Sequence, residues 1–202
     1  QKCMELNSNL VKRISVFSLF WISFCGYFII AIFIESISCP SWITNIDKRI
    51  PFIWWMVIPY YSYYILLILP PFIIKDEHRI KLLTRTLIET AIVCYIIYII
   101  WPISSHNVLE QVTPNPLSLL HDFITFEFLY QNALPSMHVS VTATIGLAIA
   151  QYQTKYKNLM LIVILGIFLA TFLIKQHYLV DSITGLILGY IAFIRYKYLA
   201  NT

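Results

Sequence analysis

Long apolar runs broken by short polar clusters set the pattern of this chain. A bilayer-spanning helix needs about 20 predominantly apolar residues, fewer where neighbouring helices cover it. Six segments meet that pattern: Ile14 to Ile34, Phe52 to Ile74, Leu87 to Ile103, Met137 to Tyr152, Leu159 to Ile174, and Tyr178 to Ile194. The last three are short, and the fourth carries small and polar residues at Ser140, Thr142, Ala143, Gly146 and Ala150, with Gly185-x-x-x-Gly189 in the sixth, a composition that lets helices approach closely. Pro59, Pro70 and Pro71 are expected to kink or end the second segment. Trp42, Trp54, Trp55, Tyr60, Tyr61, Tyr63 and Tyr64 read as an interfacial belt and core aromatics around it. The pattern predicts an all-α integral membrane protein, a six-helix bundle forming one domain over residues 1–202.

Composition narrows the class further. Of 202 residues, 59% are hydrophobic and 12% charged, and mean hydropathy is +0.73; a soluble domain carries about 25% charged residues. A disordered chain, a secreted disulfide scaffold and a nucleic-acid binder are excluded. Cys3, Cys25, Cys39 and Cys94 show no C-x-x-C spacing, so neither a disulfide nor a metal-thiolate site is expected. The first apolar run follows Lys12 and Arg13 like a signal peptide, but it exceeds the usual h-region and no A-x-A pattern follows it, so it reads as a retained helix.

Charge distribution predicts orientation. Lys and Arg collect in alternate loops of a membrane protein, on the cytoplasmic side. With six spans, eleven of the fourteen cations share the side of the N-terminus: Lys2, Lys12, Arg13, Lys75, Arg79, Lys81, Arg85, Lys155, Lys157, Arg195 and Lys197. The opposite side holds Lys48, Arg49 and Lys175 against Glu35, Asp47, Glu110, Asp122, Glu127 and Asp181. Both termini are therefore expected in the cytoplasm. His106, His121, His138 and His177 fall in or beside the outer loops, whereas His78 is cytoplasmic, which points to a site facing the exterior, periplasm or lumen. The longest outer stretch, 104–136, contains Leu117 to Tyr130, apolar and aromatic at mixed spacing, expected either as an interfacial helix or as a lid packed on the bundle.

Two strings there could do chemistry: Leu134-Pro-Ser-Met-His138 and Lys175-Gln-His-Tyr-Leu-Val-Asp181. His177 and Asp181 stand four residues apart, on one face of a helix, so the carboxylate can orient the imidazole and leave its other nitrogen as a nucleophile. Ser136 occupies an N-cap position, leaving the backbone N–H groups of Met137 and His138 at the positive end of a helix dipole, an arrangement that attracts phosphate. A phosphate held there could be attacked by His177, with His138 protonating the leaving oxygen and Lys175 adding positive charge. A metal site of His138, His177 and Asp181 is the competing reading.

These strings resemble the type 2 phosphatidic acid phosphatase (PAP2) superfamily, whose second motif is Pro-Ser-Gly-His and whose third ends in His-x-x-x-Asp. Here they read Pro135-Ser136-Met137-His138 and His177-Tyr178-Leu179-Val180-Asp181. Ile46-Asp47-Lys48-Arg49-Ile50-Pro51-Phe52, Asn132-Ala133-Leu134-Pro135-Ser136-Met137-His138 and Lys175-Gln176-His177-Tyr178 further resemble the branch with the inositol phosphorylceramide synthases. The resemblance implies a six-helix core and a metal-independent reaction with no cofactor, through a phosphohistidine on His177. Asp181 would be its partner, His138 the general acid and Ser136 a phosphate ligand. The first motif, Lys-x6-Arg-Pro, is absent: Trp101-Pro-Ile-Ser-Ser-His-Asn107 stands there, with His106 the candidate substitute. The Ser-Arg that begins the third motif is replaced by Ala170 and Thr171, with Lys175 the candidate compensation, and Met137 replaces the usual Gly.

The expected partners are a membrane lipid substrate and the bilayer, with no nucleic acid. Hydrolysis of a lipid phosphate ester is the first reading. Transfer of a phospho-headgroup between lipids is the second, because a diester carries one charge and needs fewer cations than a monoester. A non-catalytic lipid-binding protein is the third. A transporter fits less well, since no charged residue lies deep in a span and Glu89 is near the inner end of the third.

Overall fold

The computed structural model describes residues 2–125 and 133–202. Its helices are α1 (Lys2–Ser23), α2 (Cys25–Phe33), α3 (Ser41–Asp47), α4 (Val57–Ile68), α5 (Pro70–Ile73), α6 (Glu77–Ile100), α7 (His106–Leu109), α8 (Ser118–Ile124), α9 (Met137–Tyr152), α10 (Lys157–Leu173) and α11 (Leu179–Asn201). Among the described residues the one β feature is a parallel bridge between Ile37 and Ile103. Ile37 N–H donates to Pro102 O and Ser104 N–H to Ile37 O, tying together the segments that leave α2 and α6.

Among the described residues four segments are long and apolar enough to cross a bilayer: Asn9–Phe33, Glu77–Ile100, Thr154–Leu173 and Leu179–Asn201. Their outward side chains are apolar, with Ile22, Ile32, Ile96, Ile100, Ile162, Leu165, Ile187 and Ile191 all exposed. A hydrocarbon surround suits these apolar stretches. The chain is a helical membrane protein.

The boundaries differ from the expected spans in instructive ways. α6 begins ten residues before Leu87, because Asp76 caps it by accepting Arg79 N–H and the pairs Lys81–Glu77 and Arg85–Glu89, each one helical turn apart, carry the helix through a charged stretch. α11 likewise runs on to Asn201. The segment Phe52 to Ile74 is interrupted instead of continuous. A 3-10 turn (Trp54–Met56) leads into the twelve residues of α4, and Pro70, which offers no amide hydrogen, opens the separate four-residue α5. In the outer stretch Leu117 to Tyr130, residues 118–124 form α8, and the part from Phe126 through Tyr130 lies outside the described residues.

α9 has the bounds expected of the fourth segment, but its sixteen residues reach only about 24 Å. Twelve of the sixteen are buried, so α9 is the protein-wrapped centre of the bundle, which explains its small and polar composition. Its closest neighbour is α11. A Cβ built on Gly185 would overlap Ser136 O, and one on Gly189 would overlap Ser140 O and come within 2.8 Å of the Ala143 methyl. Glycine at both positions lets the backbones touch, and the register shows α9 and α11 running parallel from the same end. α10 returns antiparallel between them in sequence, so the turn 174–178 and the start of α9 meet at one end of the bundle.

Candidate active site

The turn between α10 and α11 is built by its backbone. Thr171 O accepts both Gln176 N–H and His177 N–H at 3.1 Å, and Lys175 adopts φ 64°. A non-glycine residue in the left-handed region costs about 1–2 kcal/mol, and contacts of the side chain offset it. Lys175 is fully buried, and its Nζ donates to Asp47 O at 3.1 Å and Ile50 O at 2.7 Å. Burial lowers the pKa of the Lys175 ammonium, against the pull of the Asp47 charge. Asp47 is buried too: Oδ1 accepts Leu179 N–H at 3.0 Å, while Oδ2 has no hydrogen-bond partner among the described residues. Burial pushes the Asp47 carboxyl up to about 6, opposed by the Leu179 N–H and the Lys175 charge. The 47–50 segment and the 175–179 turn are thus one buried, hydrogen-bonded unit.

That unit presents His177. Its Nδ1 lies 3.1 Å from Ala133 O and 3.6 Å from Asp181 Oδ2, and its Nε2 lies 3.2 Å from Nδ1 of His138. His138 Nε2 in turn lies 2.9 Å from the Tyr60 hydroxyl. With both rings neutral, the hydrogens have one consistent arrangement. A carbonyl only accepts, so His177 Nδ1 carries a proton and donates it to Ala133 O, which leaves Nε2 as a lone pair. His138 Nδ1–H donates to that lone pair, and His138 Nε2 accepts from the Tyr60 O–H. The hydrogen bonds run in one direction from Tyr60 through both imidazoles to the backbone.

Asp181 joins the two histidine segments. Its Oδ2 accepts Tyr178 N–H at 2.9 Å and its backbone carbonyl accepts Ser136 N–H at 2.9 Å, while Oδ1 is buried with no hydrogen-bond partner among the described residues. Ser136 is fully buried and caps α9, its Oγ accepting Val139 N–H at 3.4 Å. The preceding Pro135 carbonyl accepts the Tyr98 hydroxyl at 2.7 Å. Met137 and His138 occupy the first turn of α9, where backbone N–H groups have no intrahelical acceptor.

The structure therefore brings His138, His177, Asp181 and Ser136 together, with Met137 beside them. It holds Lys175 Nζ on the carbonyls of Asp47 and Ile50, and pairs exposed His106 with Glu110 at 3.2 Å. His138, His177 and Asp181 do not converge on one point, since the carboxylate approaches Nδ1 of His177 and His138 approaches Nε2. Among the described residues no group of three His, Cys, Asp or Glu side chains is placed to hold a metal ion.

Residues 35–195, most of the chain, match the PAP2 superfamily. The chain belongs to the PAP2 superfamily. No curated protein and no solved structure matches it. Members of this superfamily are in general phosphatases and phosphotransferases, so chemistry on lipid phosphates is the coarse expectation for this PAP2 protein too.

Within this PAP2 chain, sequence reasoning missed Tyr60, placing it with the belt and core aromatics. Tyr60 and Tyr63, both 1% exposed, pack their rings on His138 with centroids 5.3 and 4.7 Å away. Their three-residue spacing on α4 puts both hydroxyls on one helix face, and that was the available signal. The Ala133 carbonyl carries no signal in side-chain types.

Proposed function

We propose that this protein is a lipid phosphatase of the outer membrane face, working through a phosphohistidine on His177. The observation that carries the reading is that His177 Nε2 meets His138 Nδ1 at 3.2 Å while Nδ1 of His177 is held on Ala133 O. That spacing leaves no room for phosphorus between the nitrogens, so the substrate phosphoryl group enters by displacing the His138–His177 hydrogen bond. His138 takes up a second proton from solvent as the substrate binds. His177 Nε2 then forms the N–P bond as the P–O bond to the lipid breaks, and the doubly protonated His138 gives its Nδ1 proton to the departing oxygen, leaving a neutral ring with its hydrogen on Nε2. In the second half the Nδ1 lone pair of His138 takes a proton from water, water oxygen bonds phosphorus, and the N–P bond breaks. Ser136 and the free N–H groups of Met137 and His138 receive the phosphoryl oxygens. Asp181, 3.6 Å from His177 Nδ1, favours the positive charge that the ring acquires in the attack. Lys175 contributes through the turn that aims His177, and its charge reaches the phosphate only at longer range; His106 is the weakest member of the set. The six-span topology, with both termini cytoplasmic, belongs to the same proposal and rests on the distribution of the cations.

One observation favours a second reading. Among the described residues the hydrogen-bond partners of His138 and His177 include no Lys or Arg, and Lys175 Nζ is bonded to two carbonyls. A site this poor in cations suits a phosphodiester with one negative charge better than a dianionic monoester. Under that reading a lipid hydroxyl replaces water, as in the inositol phosphorylceramide synthase branch.

The test is incubation of detergent-purified protein with labelled phosphatidic acid, prenyl pyrophosphate, or phosphatidylinositol plus ceramide. Free phosphate is expected with the first two; a new phospholipid from the third establishes the transferase reading instead. His177→Ala should abolish turnover of every substrate, a loss of about 10³-fold or more. Turnover retained in that variant would remove the mechanism.

A further inference from the structure

We propose that Tyr60 is the positioning residue of the acid–base histidine: its hydroxyl holds Nε2 of His138 so that Nδ1, the nitrogen facing His177, makes both proton transfers. The proposal rests on the phosphohistidine reading and adds to it a residue from a different helix. Three observations support it. The Tyr60 hydroxyl lies 2.9 Å from Nε2 of His138, it is buried with the rest of its side chain, and among the described residues that nitrogen makes no other hydrogen bond. The rings of Tyr60 and Tyr63 flank His138 from one helix, which restricts its rotation. At the other end, Ala133 O fixes the His177 tautomer, so the only adaptable hydrogen in the chain is that of the phenol.

The chemistry requires such a group. In the idle protein His177 itself holds the proton of His138 on Nδ1, by accepting it. Entry of a phosphoryl group breaks that contact, and the ring works from its doubly protonated form, with Nε2–H donating to the phenolic oxygen and Nδ1–H facing the leaving oxygen. In the attack the Nδ1 proton goes to the leaving oxygen and the electron pair stays on Nδ1, so the neutral ring that remains carries its hydrogen on Nε2, still held by Tyr60. That Nδ1 lone pair takes the proton from water as the water oxygen bonds phosphorus, which restores the doubly protonated ring. Between turnovers the neutral ring carries its hydrogen on Nδ1, and Tyr60 donates to Nε2. A hydroxyl both donates and accepts, so one residue serves both states; phenylalanine serves neither. The logic is that of an orienting group behind a catalytic imidazole, here supplied by a phenol.

The test uses Tyr60→Phe, which keeps the ring and removes only the hydroxyl. Two phosphate esters of one size are compared: an alkyl ester, whose leaving oxygen needs a proton, and a nitrophenyl ester, whose leaving group does not. In the first turnover, before water attacks the phosphohistidine, Tyr60→Phe is expected to slow release of the alcohol from the alkyl ester by about 10²-fold and to leave release of nitrophenol little changed, with the affinity for both esters close to wild type. Equal losses on both esters would reduce Tyr60 to a packing residue and overturn the proposal. Independently of turnover, nitrogen NMR of the histidine-labelled protein should show His138 Nε2 unprotonated and hydrogen-bonded, moving to the shift of an unbonded ring nitrogen in Tyr60→Phe. A protonated Nε2 in the neutral wild type, or a shift unaffected by the substitution, overturns it as well. Wild-type protein inactive on both esters counts against the phosphoester reading, and the nitrogen shift then decides the Tyr60 contact by itself.

Discussion

The two ends of the bundle hold their polar groups in opposite ways. At the histidine end Asp47, Lys175, Ser136, His177 and Asp181 are all buried, and most of their bonds go to backbone carbonyls and amides. At the other end Arg85 and Arg195 share Glu89 across α6 and α11, at 2.9 and 2.6 Å, with side chains a third to two-thirds exposed. Arg13 is the exception there, buried with its Nε donating to Pro71 O and so closing α5 against α1. Ion pairs in solvent contribute little because water competes for both partners. A buried polar group bonded to backbone is costly to remove, because its partner is left unpaired in a low dielectric. The same residue types therefore have different consequences at the two ends.

Four substitutions test that contrast. Lys175→Met should have the largest effect, since it leaves the carbonyls of Asp47 and Ile50 unpaired at about 1–3 kcal/mol each. A lower melting temperature, with inhibition by vanadate little weakened, would sharpen the contrast; an unchanged melting curve with lost vanadate affinity would break it and return Lys175 to the phosphate. Gly185→Ala should cost about 1–3 kcal/mol by overpacking, because the added methyl meets Ser136 O, and turnover should fall with it since Ser136 caps the helix of His138. An unchanged melting curve would show that α9 and α11 have room to separate.

Asp47→Asn is a test by pH. The folded-state pKa of Asp47, about 6, lies above its ordinary value of 3.8. Its contribution to stability is therefore fully present below about pH 4 and is lost as pH rises through 6. Asparagine does not titrate, so the melting temperature of the variant relative to wild type should climb between pH 4 and pH 7; a difference flat across that window would mean that Asp47 is not desolvated. Glu89→Gln should matter least, with melting and turnover both close to wild type. A large loss there would make the exposed cluster as consequential as the buried one.

Much of the frame is legible in the chain because hydrophobic patterning acts locally. The apolar runs mark the long helices, Ser136 after Pro135 marks the start of α9, and the four-residue step from His177 to Asp181 puts both groups on one side of a turn. Helix ends are less legible. The charged start of α6 reads as a loop by hydropathy and is helical because its ion pairs lie one turn apart. Lys175 is the clearest misfit between residue type and position: a cation beside two histidines suggests an anion ligand, and its ammonium instead holds the ends of a distant segment.

By itself, the order of residues determined that this chain lives in a membrane and that two imidazoles and a carboxylate belong to neighbouring motifs. Those follow from transfer free energy and from spacing along a helix, which depend only on nearby residues. Tertiary structure alone decided that the histidines meet at 3.2 Å, that Tyr60 from α4 closes one end of their chain and the Ala133 carbonyl the other, and that Lys175 faces away into carbonyls. Hydrogen bonding is short-ranged and directional, so which donor meets which acceptor is set by how α4, α9 and α11 pack, and no local pattern encodes that packing.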